Sequence, residues 1–152
     1  MPGQLFRRIA VATDGSTTAK AAVTMAIELA KTYRSELIIL TVAPLVPVYA
    51  APNAPFVAAP LPEGFAPRYR ELVQGAVQDA KAAGVTEVTG LCEQGVVVDE
   101  ILAQVEEHRP DLLVVGSRGL TAAKRLLLGS VSTALVTHAA CPVLVVRPAS
   151  PP

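Results

Sequence analysis

Apolar positions follow two rhythms along the chain, and the two alternate. The runs "RRIAVAT" (7–13), "ELIILTVA" (36–43), "DLLVVGS" (111–117) and "CPVLVVRP" (141–148) are short, continuous and rich in β-branched residues, which predicts strands. A more polar run, "VTEVTGLCE" (85–93), predicts a further strand at a sheet edge. Between these runs the period lengthens. Ala19, Ala22, Val23, Ala26, Ile27 and Ala30 recur at helical spacing behind Ser16, a residue suited to cap a helix running to about Tyr33. "RYRELVQGAVQDAKAAG" predicts a second helix, with Gly84 at its C-cap. "VVVDEILAQVEEHR" predicts a third, ended by Pro110, and "SVSTALVTHAA" a short fourth after Gly129. Strict strand–helix alternation implies an α/β fold: a parallel sheet with right-handed crossovers and helices on both faces.

One stretch has neither rhythm. Pro44 to Pro67 holds seven of the thirteen prolines and a single charge, Glu63. It predicts a long proline-rich loop at about 44–66, partly disordered without partners, in a position to act as a lid or an oligomer contact. The rest fits a single domain spanning 1–152. Aromatics are only 4% of the chain, so Val, Leu, Ile and Ala must fill the core. The net charge of zero lacks the basic excess of a nucleic-acid binder. Cys92 and Cys141 make neither a disulfide framework nor a zinc spacing, and a reduced, cytoplasmic setting is expected. Two uncharged stretches, 37–62 and 126–146, are interrupted by prolines, Gly129, hydroxyls and His138, so no membrane span is expected. "IAVAT" after Arg7 and Arg8 is too short for the apolar core of a signal peptide.

In such sheets ligands bind beyond the carboxyl ends of the strands, where strand order reverses. The connection "GSRGLTAAKRLLLGSVST" (116–133) leaves one of those ends. Gly116 and Gly119 let a ligand approach without meeting a Cβ. Gly129 stands just before a helix whose first amides, those of Ser130, Val131 and Ser132, have no intrahelical partner and make an anion site with the helix dipole. The hydroxyls of Ser130, Ser132 and Thr133 can add donors, and Arg118, Lys124 and Arg125 add positive charge. One glycine and one capping serine would be ordinary in such a connection. Three glycines, a hydroxyl cluster and three cations favour a phosphate site. There is no GxxxxGK[ST], and no GxGxxG follows the first strand.

The spacing G-x2-G-x9-G-[ST], here Gly116, Gly119, Gly129 and Ser130, resembles that of the universal stress protein family. "RIAVATDGS", "GVVVDEIL", "DLLVVGSRG" and "GSVSTALVTHAACPVLVV" extend the resemblance over nearly the whole chain. The resemblance implies a five-stranded parallel sheet in the order 3-2-1-4-5, Rossmann-like and similar to the adenine nucleotide alpha hydrolases. It implies the ATP-binding branch of the family, and so a nucleotide-dependent sensor or switch in the stress response. Gly116, Gly119, Gly129, Ser130, Val131 and Ser132 would hold the phosphates and ribose of ATP, or of ADP or AMP. Asp14 would contact a ribose hydroxyl or a water linked to Mg²⁺. Ala12, Thr13, Val115 and Arg118 would line the pocket, and the backbone of Val42 would read the adenine edge. The last strand, through Pro142–Val146, would pair with its copy in a homodimer, with higher oligomers open.

Asp14 also makes sense independently, since a carboxylate suits a ribose diol or a shared Mg²⁺; the plainer reading is that it only turns the chain. No catalytic base stands out, so hydrolysis would at most be slow. A slow Mg²⁺-dependent ATPase and an interaction module with a vestigial pocket are the alternatives. A receiver-like signalling domain would need acidic and lysine positions that "CEQG" and "VVRP" do not supply.

Overall fold

A parallel sheet needs cover on both faces, and the helices supply it. The computed structural model describes residues 4–60, 62–63, 66–118 and 128–148. β1 (Arg8–Ala12), α1 (Thr17–Tyr33) and β2 (Glu36–Pro44) come first, followed by β3 (Val46–Tyr49) and β4 (Phe56–Ala59). Then come α2 (Ala66–Ala82), β5 (Val88–Gly95), α3 (Val97–His108), β6 (Leu112–Gly116), α4 (Ser130–His138) and β7 (Val143–Val146). Five strands form one sheet in the order β5-β2-β1-β6-β7, every pair parallel. Counting sheet strands alone, this is the expected 3-2-1-4-5 order. The polar strand β5 lies at one edge and β7 at the other.

Alternate residues of each strand enter opposite cores. Ile9, Val11, Leu37 and Ile39 pack with Ala22 and Ala26 of α1 and Val73 of α2. Ala10, Ile38, Leu40 and Leu113 pack on the other face with Ile101 and Val105 of α3 and Leu135 of α4. Full burial of such an aliphatic side chain contributes roughly 1.5–3 kcal/mol. The alanines of α1 matter for a different reason: Ala22, Ala26 and Ala30 are almost fully buried and let the helix lie close to the sheet. No helix among the described residues is long and apolar enough to cross a membrane.

The 44–66 segment differs from expectation. β3 and β4 pair antiparallel through Val46↔Ala59, Val48↔Val57 and Tyr49↔Phe56. The expected loop without periodicity is thus, over much of its length, a two-stranded ribbon. Pro47 argues against a strand only where both sides of the strand must pair; in a ribbon each strand is an edge, and Pro47 is tolerated.

Candidate functional site

The turn after β1 is built from polar side chains bonded to their own backbone. The Asp14 carboxylate (Oδ1) accepts the Ser16 N–H at 2.9 Å, and Thr13 Oγ1 accepts the Gly15 N–H at 3.2 Å. Ser16 caps α1, its hydroxyl accepting the Ala19 N–H at 3.3 Å. Gly15 sits at φ +79°, in the left-handed region where a side chain is strained. Asp14 therefore does turn the chain. That bond uses Oδ1 and leaves Oδ2 free of it.

At the end of β6 the structure adds a packing reason for Gly116. A Cβ there would meet the backbone carbon of Thr18 at 2.7 Å and the Ala19 N at 2.8 Å. The missing side chain makes room for the first turn of α1, and Gly116 also lines the cavity described below. The Thr18 hydroxyl donates to the Arg118 carbonyl, and the Gly129 N–H donates to the Ser117 carbonyl at 2.8 Å. The second bond brings the start of α4 beside the end of β6.

Two of the three hydroxyls of the cluster have partners within the fold. Ser132 is buried and donates its one proton to the Gly116 carbonyl at 2.6 Å. Thr133 donates to the Gly129 carbonyl at 2.9 Å. In this arrangement both protons are engaged within the fold. Among the described residues, no such bond takes the Ser130 hydroxyl. The helix terminus itself stands as expected. Gly129 is the N-cap and no side chain caps the turn. The first intrahelical bond runs from Thr133 N–H to the Gly129 carbonyl at 3.0 Å. The amides of Ser130, Val131 and Ser132 precede it and carry the positive end of the dipole.

A cavity of about 330 Å³ opens at the carboxyl ends of β1, β2 and β6. From β1 and its turn it is lined by Ala12, Thr13 and Asp14, and from β2 by Val42. Val115, Gly116 and Arg118 line it from β6, and Val131 and Ser132 from α4. Gly129 and Ser130 are not part of the lining, and Gly119, Lys124 and Arg125 lie outside the described residues. The sequence reading missed Ala19, Leu40, Pro44, Tyr69, Val97, Ile101 and Leu135, which make much of the wall apolar. Apart from Pro44, which belongs to the proline-rich stretch, their spacing marks them as core faces of helices and strands, with no separate signal for a cavity.

The backbone of β2 gives Val42 a distinct position. Along a strand, successive peptide groups point to opposite neighbours. Glu36 N–H donates to Arg7 on the β1 side, and Leu37 N–H to Glu87 on the β5 side. Even-numbered residues of β2 therefore face β1, and Val42 is one of them. The last bond between these strands runs from Thr13 N–H to the Leu40 carbonyl at 2.9 Å. The next donor, Gly15 N–H, turns back onto Thr13 Oγ1. Val42's peptide N–H and C=O thus face the cavity side, beyond the end of β1.

The cysteines stay outside this chemistry. Burial raises the Cys92 thiol above its ordinary value, with Arg70 opposing and Glu93 adding. Burial also raises Cys141, with the Leu113 backbone opposing. Both are therefore held in the protonated thiol form at neutral pH. Among the described residues, no cluster of His, Cys, Asp and Glu could hold a metal ion by itself.

Comparison with known proteins places this geometry. A model of the Universal stress protein family matches residues 5–147. The universal stress protein YxiE of Bacillus subtilis is 34% identical over 151 residues, spanning 94% of this chain and 100% of that protein. The chain also superposes on a universal stress protein solved in complex with cAMP, with 28% identity and a TM-score of 0.70 over 95% of this chain and 98% of that one. A universal stress protein family protein from Arabidopsis thaliana, solved with AMP bound, gives 28% identity and a TM-score of 0.63 over 94% and 92%.

Proposed function

The chain belongs to the universal stress protein family, and on that premise we propose that it binds an adenine nucleotide in the cavity at the carboxyl end of its sheet and acts as a nucleotide-dependent sensor or switch. One observation carries the reading. The cavity joins an apolar slot to a polar end where Asp14, Arg118 and the uncapped first turn of α4 converge. A nucleotide has the matching polarity, with a flat ring at one end and anionic oxygens at the other. The relatives solved with cAMP and AMP support the adenine half of the reading.

In detail, the amides of Val131 and Ser132 and the Arg118 guanidinium would hold the phosphates, and Gly129 with Ser130 would set the helix start that presents those amides. Asp14 would accept a ribose hydroxyl through Oδ2. Val42's peptide would bond the base edge. ATP is the nucleotide proposed, with ADP or AMP as occupants of the same site. Mg²⁺ fits only together with a phosphate. A magnesium ion is commonly held by one or two carboxylates plus phosphate oxygens and water, and Asp14 offers one carboxylate. The ion would neutralise phosphate charge. Turnover is not proposed: Asp14 is the only carboxylate among the described lining residues, and half of it already holds the Ser16 amide.

The outer edge of β7 is free of any strand among the described residues. Antiparallel pairing of that edge with a second copy would cover it, and sedimentation at micromolar concentration should give a dimer; a monomer would remove this part of the proposal. The main test is to denature freshly purified protein and identify the released small molecules by mass. ATP, ADP or AMP is expected. An empty cavity that also rejects millimolar adenine nucleotide would overturn the reading.

A further inference from the structure

The chain has three tyrosines and three phenylalanines, few enough to consider singly. Phe6 and Tyr33 meet edge to face with centroids 5.1 Å apart, and Tyr49 and Phe56 do so on the ribbon at 6.1 Å. Phe65 lies outside the described residues. Tyr69 is the one left: it has no aromatic partner among the described residues, it is half-buried, and it lines the cavity.

Its position follows from the helix. α2 packs on the sheet through Val73, Val77 and Ala80. Tyr69 precedes Val73 by four residues, so it continues the same face one turn further. In a crossover helix that direction leads toward the carboxyl ends of the strands, and there the ring reaches the cavity. Val97 and Ile101 line the cavity from α3, on the opposite face of the sheet. Pro44, at the end of β2, lines it as well. The slot is thus bounded by an aromatic ring on one side and an aliphatic wall on the other. Asp14, Arg118 and Ser132 lie at its far, polar end.

We propose that Tyr69 is the stacking wall for the base, so that it selects a ligand carrying an aromatic ring over a bare sugar phosphate. This inference rests on the nucleotide reading above. Stacking is indifferent to which base is present, since every base has a π face. Tyr69 therefore sets the requirement for a base, and Val42's peptide is left to tell one base edge from another.

The test compares wild type, Tyr69→Leu and Tyr69→Phe by calorimetric titration with AMP and with ribose 5-phosphate. Leucine keeps apolar volume and removes the ring; phenylalanine keeps the ring and removes the hydroxyl. Tyr69→Leu should weaken AMP by about fivefold or more, and Tyr69→Phe should stay within about twofold. Ribose 5-phosphate should bind all three alike. The chain has no tryptophan, so tyrosine emission gives a second readout: AMP should quench it in wild type and not in Tyr69→Phe. Equal AMP affinity in wild type and Tyr69→Leu would overturn the inference. So would a parallel loss for AMP and ribose 5-phosphate, which would mean that the ring only supports the fold. A wild type that binds no AMP would overturn the nucleotide reading itself, whatever the variants do.

Discussion

The turn after β1 and the ribbon after β2 leave neighbouring strands, yet they are held in opposite ways. In the turn, Thr13, Ser16 and Thr18 are buried, and side chains bond the backbone at Gly15, Ser16 and Ala19. The ribbon has its own ladder and a turn closed by Ala54 N–H to the Ala51 carbonyl at 3.0 Å. It exposes Val48 and Val57 on one face and Tyr49 and Phe56 on the other. The polar segment is buried and the apolar segment is exposed, the reverse of what composition suggests. Burial here follows hydrogen-bond satisfaction: the turn's polar groups find partners within the turn, while the ribbon's apolar groups have no core to enter. A two-stranded ribbon alone is marginally stable in water. The cavity therefore has a firm polar end, while the ribbon, none of whose residues line it, contributes little to holding the fold.

Three variants bear on that contrast. The largest effect is expected at the firm end. Gly116→Val forces atoms into the backbone of Thr18 and Ala19 and should destabilise the ligand-free protein by about 3 kcal/mol in urea unfolding. Unchanged stability with lost nucleotide binding would instead show that Gly116 serves the ligand and not the packing of α1. Next comes Ser132→Ala, which leaves the Gly116 carbonyl without its 2.6 Å partner and should cost about 1.5 kcal/mol by the same measurement. A change near zero would mean that water replaces the hydroxyl and that this end is less enclosed than it looks. The smallest effect is expected in the ribbon. Tyr49→Ser together with Phe56→Ser should alter global stability by no more than about 0.5 kcal/mol, while amide exchange across 46–59 speeds up. A loss well above that would show that the ribbon is part of the cooperative core.

Much of this architecture is legible in the sequence because burial on both faces leaves a simple trace. "ELIILTVA" and "DLLVVGS" read as interior strands, and the spacing from Ala19 to Ala30 reads as a helix with a small-residue face. Strand order is not written in any one run; it comes from the family resemblance and agrees with the observed pairing. The ribbon was hidden because Pro47 is a strong local signal whose meaning depends on how many neighbours the strand has. Gly116 was visible as a glycine, but the reason for it was not, since Thr18 approaches from another element 98 positions earlier in the chain, a contact no local pattern encodes. Ser132 likewise reads as a free hydroxyl until the Gly116 carbonyl is placed beside it. Tyr69 was concealed by regularity: it keeps the helical period of α2 and only tertiary placement takes it past the sheet.

Val42 offers two polar groups that belong to the peptide and not to the residue. Its side chain packs with Leu40 and Ile101 under α3 and is free to drift among apolar types as that core drifts. The N–H and C=O beside the cavity survive every such substitution. Only proline would delete the donor. A contact made this way is inherited with the strand order itself, and two relatives could share it while having no side chain in common at that position.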